Sequence, residues 1–130
     1  MNRREGRGPT ELTVVRRYYE FLVWLLPVVA GMPRQHRFTL GERIERLAVA
    51  ILEALVAATY TGEKRELLER ANLCLELLRY LLRLAKDLKL LSVAQYGSGC
   101  TALAEVGSQV GGWLKQQARI SHGAQAREPV

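Results

Sequence analysis

The chain has few of the residues on which metal-ion and nucleophilic chemistry depends. Its 130 residues include only two cysteines, Cys74 and Cys100, and two histidines, His36 and His122. Two cysteines cannot build a disulfide scaffold, and on apolar helix faces they are typical of small core residues. Neither histidine stands at zinc-ligand spacing, and the Glu-x-x-His motif of di-iron bundles is missing. We therefore expect no catalytic residue, no metal, no cofactor and no small-molecule substrate; the protein is not expected to be an enzyme.

The sequence also lacks an apolar run long enough to cross a membrane. A span needs about 20 consecutive apolar residues. The longest candidate, 21–31, is about half that length and is interrupted by Pro27. The basic stretch 1–10 is not followed by a signal-type apolar segment with a cleavage site. We therefore expect a cytoplasmic protein without a membrane partner.

Acidic residues are fewer than basic ones. Against 13 Asp and Glu there are 19 Lys and Arg, which gives a formal charge of +6, and 15 of the 19 are Arg. Because a planar guanidinium donates two hydrogen bonds to a phosphate at once, this surplus favours polyanions such as nucleic acids. The same surplus also fits a surface that is merely solubilising.

The β-type alternation of apolar and polar residues is missing as well, and apolar residues recur at helical spacing. This periodicity predicts helices over about 11–30, 40–60, 63–89 and 93–119. Four helices joined by short loops predict an all-α, antiparallel up-down four-helix bundle. We expect the bundle over 11–119, a flexible basic arm over 1–10 and a flexible tail over 120–130.

Two helix starts have capping signals. Thr39, with Glu42 three residues later, fits a capping box, which leaves 34–38 as the linker between the first two helices. Ser92 is placed to cap the fourth helix.

The third helix has an unusually wide apolar face. A helix in a monomeric bundle needs a face only somewhat wider than roughly 100°, whereas a single sector of this helix is polar. The helix is therefore either central in the bundle or also packed against another subunit, and we expect a homo-oligomer, with Leu77 and Leu81 as packing candidates. Its core positions are expected along a heptad stripe of apolar residues: Leu67, Ala71, Cys74, Leu78, Leu81, Ala85 and Leu88.

The fourth helix contains three glycines, Gly107, Gly111 and Gly112. Each costs about 1 kcal/mol relative to alanine in a helix interior. Gly107 and Gly111 share a face, which predicts a close helix approach either within the bundle or between subunits. The neighbouring Trp113 is expected in the core or in an interface.

Basic residues recur at helical spacing on several elements. Arg79, Arg83 and Lys86 form one positive stripe on the third helix, and Arg16 and Arg17 lie on the first. A further group, Arg34, Arg37 and Arg43, surrounds the first inter-helix connection. A surplus spread over several elements favours recognition of backbone charge and shape over base reading.

Four stretches of the chain carry a resemblance to a known family. They are PRQHRFTLGERI at 33–44, RANL at 70–73, LLRYLLRLAKDL at 77–88, and EVG at 105–107 with GGWLK at 111–115. The first resembles the bacterial four-helix bundle family that includes ribosomal-RNA intervening-sequence proteins. Together, over about 14–117, the four resemble the accessory variability determinant (Avd) of diversity-generating retroelements.

The resemblance implies a non-enzymatic four-helix bundle that assembles as a barrel-like homopentamer. It implies two partners, a reverse transcriptase and a structured RNA that contains the template repeat, and a role in mutagenic retrohoming. It assigns nucleic-acid or reverse-transcriptase contacts to five residues: Arg34, Arg37, Arg43, Arg79 and Arg83. For Arg43 the alternative is an intersubunit or intrahelix ion pair with Glu42 or Glu45. Further nucleic-acid candidates, from the charge pattern alone, are Arg16, Arg17 and Lys86.

Two alternatives share the same fold and charge. One is an intervening-sequence bundle that binds RNA or ribosomes without a reverse transcriptase. The other is a structural homo-oligomer with no nucleic-acid partner.

Overall fold

The computed structural model of the protein describes the backbone over residues 9–127 and the side chains over 11–120. Within residues 9–127 there are four long α-helices and no strand. The helices are α1 (Pro9–Ala30), α2 (Glu42–Ala58), α3 (Arg65–Asp87) and α4 (Val93–Arg127). Between α1 and α2 lie a helical turn, Arg34–His36, and a π-helical turn, Arg37–Gly41. The predicted all-α four-helix bundle is confirmed.

The helices form a ring in chain order. Each packs against its sequence neighbours, and α1 closes the ring against α4. Short connections make neighbouring helices antiparallel, so the bundle has two distinct ends. The upper end contains the α1–α2 and α3–α4 connections, 31–41 and 88–92. The lower end contains the start of α1, the α2–α3 connection, 59–64, and the C-terminal part of α4.

One apolar core runs through the bundle and includes the fully buried Tyr18, Leu25, Ile51, Leu78 and Trp113. The Tyr18 hydroxyl donates a hydrogen bond to the Ala48 carbonyl at 2.5 Å, joining α1 to α2. Burial raises the pKa of this phenol, because it penalises the charged form. Trp113, which is predicted to lie in the core or in an interface, lies in the core.

The core stripe of α3 differs from the predicted one. The buried residues are Leu68, Ala71, Leu75, Leu78, Leu82 and Ala85. Leu67, Cys74 and Leu81 are only half-buried, and Leu88 is exposed. Because leucines cover most of this helix, two neighbouring stripes fit the heptad spacing equally well, and only the positions of α2 and α4 decide between them.

The α1–α2 connection also differs from prediction. Residues 34–38 are helical, so they are not an extended linker. Thr39 lies inside the π-helical turn, where its hydroxyl donates to the His36 carbonyl at 3.2 Å, and it forms no capping box with Glu42. At α4 the cap is confirmed and is reciprocal: the Ser92 N–H donates to Gln95 Oε1, and the Gln95 N–H donates to Ser92 Oγ.

The bundle extends beyond its expected boundaries. Helix α1 already begins at Pro9, and the remainder of the expected arm lies outside the described residues. Helix α4 continues to Arg127, so that most of the expected tail is helical; 128–130 lie outside the described residues. With 35 residues against the 23 of α3, α4 extends past its neighbour at the lower end.

The fourth-helix glycines leave open space beside them in the part of the chain that the structure describes. A Cβ at Gly107, Gly111 or Gly112 would meet nothing within 4 Å. The close approach occurs instead at Gly99, where a Cβ would lie 3.2 Å from Leu82 Cδ1 and 3.5 Å from the Trp24 ring. The within-bundle form of the glycine prediction is therefore wrong, while an approach between subunits stays a prediction.

Candidate nucleic-acid interface

Three predicted contact residues lie together at the upper end. Arg34 is in the helical turn, Arg37 begins the π-helical turn and Arg43 lies in the first turn of α2. All three side chains are exposed, and none forms an ion pair with any part of the chain that the structure describes. No acidic residue occurs from Phe21 to Gly41. The upper end therefore presents uncompensated positive charge.

The π-helical turn explains why Arg37 points outward. In an uninterrupted α-helix, Arg37 would precede the buried Gly41 by four residues and Ile44 by seven, and it would face the core. Instead, the Glu42 N–H donates to the Arg37 carbonyl five residues earlier, which accommodates one extra residue in the turn. The extra residue rotates Arg37 away from the core.

Gly41 fixes this turn against α1. A Cβ at Gly41 would lie 3.2 Å from Val29 Cγ1 and 3.6 Å from the sulfur of the buried Met32. Only a residue without a side chain fits at this separation without displacing its neighbours. The turn that carries the arginines is thereby held on the core.

The α3 stripe is closer to electrical balance. Arg79 forms an ion pair with Glu76, and this hydrogen bond raises the pKa of the guanidinium. Arg83 Nε lies 3.9 Å and Lys86 Nζ 3.2 Å from Asp87 carboxylate oxygens. Three cations and two carboxylates leave this stripe with a single net positive charge.

Two aromatic rings lie beside the α3 stripe. The Arg79 guanidinium lies 5.4 Å from the centroid of the Tyr80 ring, and Lys86 Nζ lies 4.7 Å from that of Tyr96. Contact with an aromatic face stabilises each cation where it lies. These rings and carboxylates make the α3 stripe a less available anion site than the upper end.

The two α1 candidates differ from one another. Arg17 bridges helices, at 2.6 Å from Glu105 on α4 and 3.3 Å from Glu20. Its hydrogen bond to Glu105 lowers the pKa of that carboxyl, since it favours the charged form. Arg16 is exposed and has no acidic partner among the described side chains. Because α1 and α3 are diagonal in the ring, these residues are not continuous with the α3 stripe.

Sequence reasoning missed two residues at the upper end. Lys89 has a φ of 63° in the α3–α4 connection and is exposed. Phe38 lies between the arginines, and its side chain is 66% exposed. The interpretation of 34–38 as a linker gave no reason to single out Phe38. The sequence Lys-Leu-Leu that precedes the cap residue Ser92 contains no glycine or asparagine, the residues that usually indicate a left-handed conformation.

A second surface is apolar and lies on the outer face of α3, opposite its core stripe. We call it the outer stripe: Leu73, Leu77, Tyr80, Leu84 and Leu88. Its most exposed member, Leu73, has 70% of its surface accessible. Leu77 thus lies on this surface, while Leu81 is half-buried beside it. The outer stripe matches the wide apolar face from which association was predicted.

The described residues hold no group of His, Cys, Asp and Glu side chains arranged to bind a metal ion. Cys74 and Cys100 are half-buried free thiols. None of the helices between residues 9 and 127 combines the length and apolarity that crossing a bilayer requires.

Comparison with protein-family models gives a match over most of the chain. A family model described as bAvd-like matches residues 12–117, from the first turns of α1 to the part of α4 that extends past α3. No curated protein matches the chain.

Proposed function

Because the chain belongs to the bAvd-like family, an accessory and non-catalytic kind of protein, we propose that it is an accessory protein of a diversity-generating retroelement. In this role it binds the element's reverse transcriptase and its template-repeat RNA and supports mutagenic cDNA synthesis. The protein contributes no bond chemistry. By holding RNA and polymerase on one scaffold, it raises the effective concentration of each for the other.

The observation that supports RNA binding is the uncompensated charge of Arg34, Arg37 and Arg43 at the upper end. Phosphate contacts release counterions, so affinity falls as salt rises. We assign the main phosphate contacts to these three arginines. Arg79, Arg83 and Lys86 are secondary contacts, because carboxylates already compensate much of their charge.

The test is a charge reversal at each end of the bundle. Replacing Arg34, Arg37 and Arg43 with Glu should weaken RNA binding by at least about tenfold. The slope of log affinity against log salt concentration should become shallower by about 2, since each lost phosphate contact to a single strand contributes about 0.7. The matched control replaces Arg65, Arg70 and Arg119, at the lower end, with Glu. Equal losses in the two variants would contradict a localised interface. No loss in either would favour a structural protein without a nucleic-acid partner.

The outer stripe supports the proposal that the protein is a homo-oligomer. Large exposed apolar surfaces on one helix face mark association sites. Replacing Leu73 and Leu77 with Glu should therefore dissociate the assembly while preserving helicity, because both side chains are exposed. The matched control replaces Val23, an exposed apolar residue on α1, with Glu and should leave the assembly intact. Light scattering during size-exclusion chromatography gives the mass, and an unchanged mass for the α3 variant would contradict this assignment.

Gene context separates the retroelement from the intervening-sequence alternative. The proposal expects a reverse-transcriptase reading frame beside the gene, with two near-identical repeats that differ mainly at adenines of one copy. A gene inside or beside ribosomal RNA, without these features, would favour the alternative.

A further inference from the structure

Phe38 is exposed although it is large and apolar. Its side chain is 66% accessible, whereas Phe21, the other phenylalanine, is buried in the core. Exposure forgoes the hydrophobic stabilisation that burial of a phenylalanine provides. The exposed ring is therefore a feature that the stability of the fold does not require.

The backbone that carries the ring belongs to a turn that is packed on the core. Phe38 lies within Arg37–Gly41, whose last residue packs against Val29 and Met32 of the core. At the other side of the turn, the His36 and Arg37 N–H groups both donate to the Pro33 carbonyl. Because the backbone of this turn is already ordered, a ligand that stacks on the exposed ring need not order it, which lowers the entropic cost of binding.

The surroundings of the ring are cationic. Arg37 is adjacent in sequence, and Arg34 precedes Phe38 by four residues, which is about one helical turn. Neither guanidinium has a carboxylate partner in the described range, and both are exposed. An aromatic side chain close in sequence to two available arginines matches the two parts of a nucleotide, a flat base and an anionic phosphate.

We propose that Phe38 is a stacking platform for an unpaired nucleobase, with Arg34 and Arg37 on the flanking phosphates. The inference rests on the proposed nucleic-acid role and narrows its ligand to single-stranded RNA or an unpaired loop. Within a duplex both faces of a base are covered by neighbouring bases, so only an unpaired base offers its face to the ring.

A protein partner fits this surface less well. The other exposed residues within three positions of Phe38 in the sequence are Gln35, Arg37 and Thr39, which are polar or charged. A protein interface is built around a desolvated apolar core, with charged residues depleted there. One ring among arginines is the composition of a nucleic-acid site.

The experiment measures the affinity of the full chain for three probes at one salt concentration. The probes are an unstructured poly(U) strand, a strand of equal length in which the bases are replaced by abasic sites, and a blunt RNA duplex. The variants are Phe38→Leu, which keeps an apolar side chain but removes the ring, and Phe38→Tyr, which keeps the ring. Tyr19→Leu is the matched control, since Tyr19 is an exposed aromatic residue on α1.

We expect Phe38→Leu to weaken poly(U) binding by about tenfold, which is within the range of losses for removal of one stacking residue. Its affinity for the abasic strand and for the duplex should stay within about twofold of the parent. Phe38→Tyr should retain parental affinity, and Tyr19→Leu should change none of the three. Equal effects of Phe38→Leu on all probes, or no effect on poly(U), would overturn the inference.

The inference and the proposed function fail in different ways. If the Arg34, Arg37 and Arg43 reversal weakens binding but Phe38→Leu does not, the phosphate contacts stand and the stacking platform is wrong. If the reversal leaves affinity for every probe unchanged, the nucleic-acid role itself is wrong.

Discussion

Lys64 at the lower end of the bundle and Arg34 and Arg37 at the upper end are basic residues in opposite surroundings. At the lower end, Lys64 is almost enclosed: its Nζ donates to the Ala58 carbonyl at 2.6 Å and to the Thr61 carbonyl at 2.8 Å, and lies 3.1 Å from Glu11 Oε1. At the upper end, Arg34 and Arg37 are exposed and have no carboxylate partner among the described residues. Both ends also carry exposed arginines, but Arg65 and Arg70 at the lower end share their helix turns with Glu66 and Glu69, whereas the upper-end connections 31–41 and 88–92 contain no acidic residue.

The burial of a basic residue and its polar partners, more than the number of charges nearby, therefore determine whether it stabilises the fold or can bind a ligand. Lys64 donates to the carbonyl of Ala58, the last residue of α2, where the helix dipole is negative, and it joins α1 to the α2–α3 connection through Glu11. Its side chain is 11% exposed and that of Glu11 is 7% exposed. The pair is therefore part of the folded structure, whereas the upper arginines are a surface on which the fold does not depend.

The largest expected effect comes from removing the enclosed cation. Lys64→Met should lower the free energy of unfolding by about 3 kcal/mol, because it removes a nearly enclosed cation that lies against the buried Glu11 carboxylate and donates to two backbone carbonyls. Denaturant unfolding followed by circular dichroism measures this. Arg37→Met, the matched change at the upper end, should cost no more than about 0.5 kcal/mol. Similar losses in both variants would remove the distinction between the ends.

The next largest effect comes from Lys89 at the upper end, where one substitution should change the stability of the fold and the affinity for RNA in opposite directions. The Leu90 N–H donates to the Ala85 carbonyl and the Lys89 N–H to the Lys86 carbonyl, which is a Schellman motif with Lys89 in the left-handed position. Since glycine adopts this conformation without steric cost, Lys89→Gly should stabilise the fold by about 1 kcal/mol.

The same substitution removes a cation from the upper end, so the slope of log affinity against log salt concentration for RNA binding should fall by about 0.7. Thermal unfolding and salt titrations of one protein preparation measure both quantities. Lys89→Ala is the control, because it removes the charge and keeps the steric cost. A destabilised Lys89→Gly variant would contradict the proposed strain.

The smallest expected effect comes from adding one negative charge to each end. Gln35→Glu places a carboxylate among the upper arginines, and at physiological salt its field extends about 8 Å. We expect RNA affinity to fall about twofold to threefold with no change in stability. Gln116→Glu makes the same chemical change on α4 at the lower end and should leave affinity unchanged. A larger effect at the lower end would place the interface there.

Much of the fold follows from the sequence. The spacing of apolar residues predicts four helices, and short connections predict their antiparallel order. Ser92 is correctly predicted as a cap, because a hydroxyl that accepts a backbone N–H is a local interaction. The exposed outer stripe on α3 is predicted as well, since the leucines of this helix exceed what one core seam accommodates.

The details that prediction misses depend on tertiary packing. The core stripe of α3 is set by where α2 and α4 lie, not by leucine spacing. The π-helical turn forms because Gly41 and Ile44 are buried while Arg37 cannot be. Local capping preference at Thr39 is overridden by that packing. Of the predicted contact residues, the structure distinguishes the available Arg34, Arg37 and Arg43 from the partnered Arg17, Arg79, Arg83 and Lys86.

Arginine footprinting with RNA bound is the most direct test of the central claim. The chain is treated with an arginine-selective dicarbonyl reagent, with and without RNA, and modification is read at each residue by mass spectrometry. The account predicts that RNA protects Arg34, Arg37 and Arg43, while Arg65, Arg70 and Arg119 stay reactive. Protection of the lower-end set, or equal protection at both ends, would contradict it.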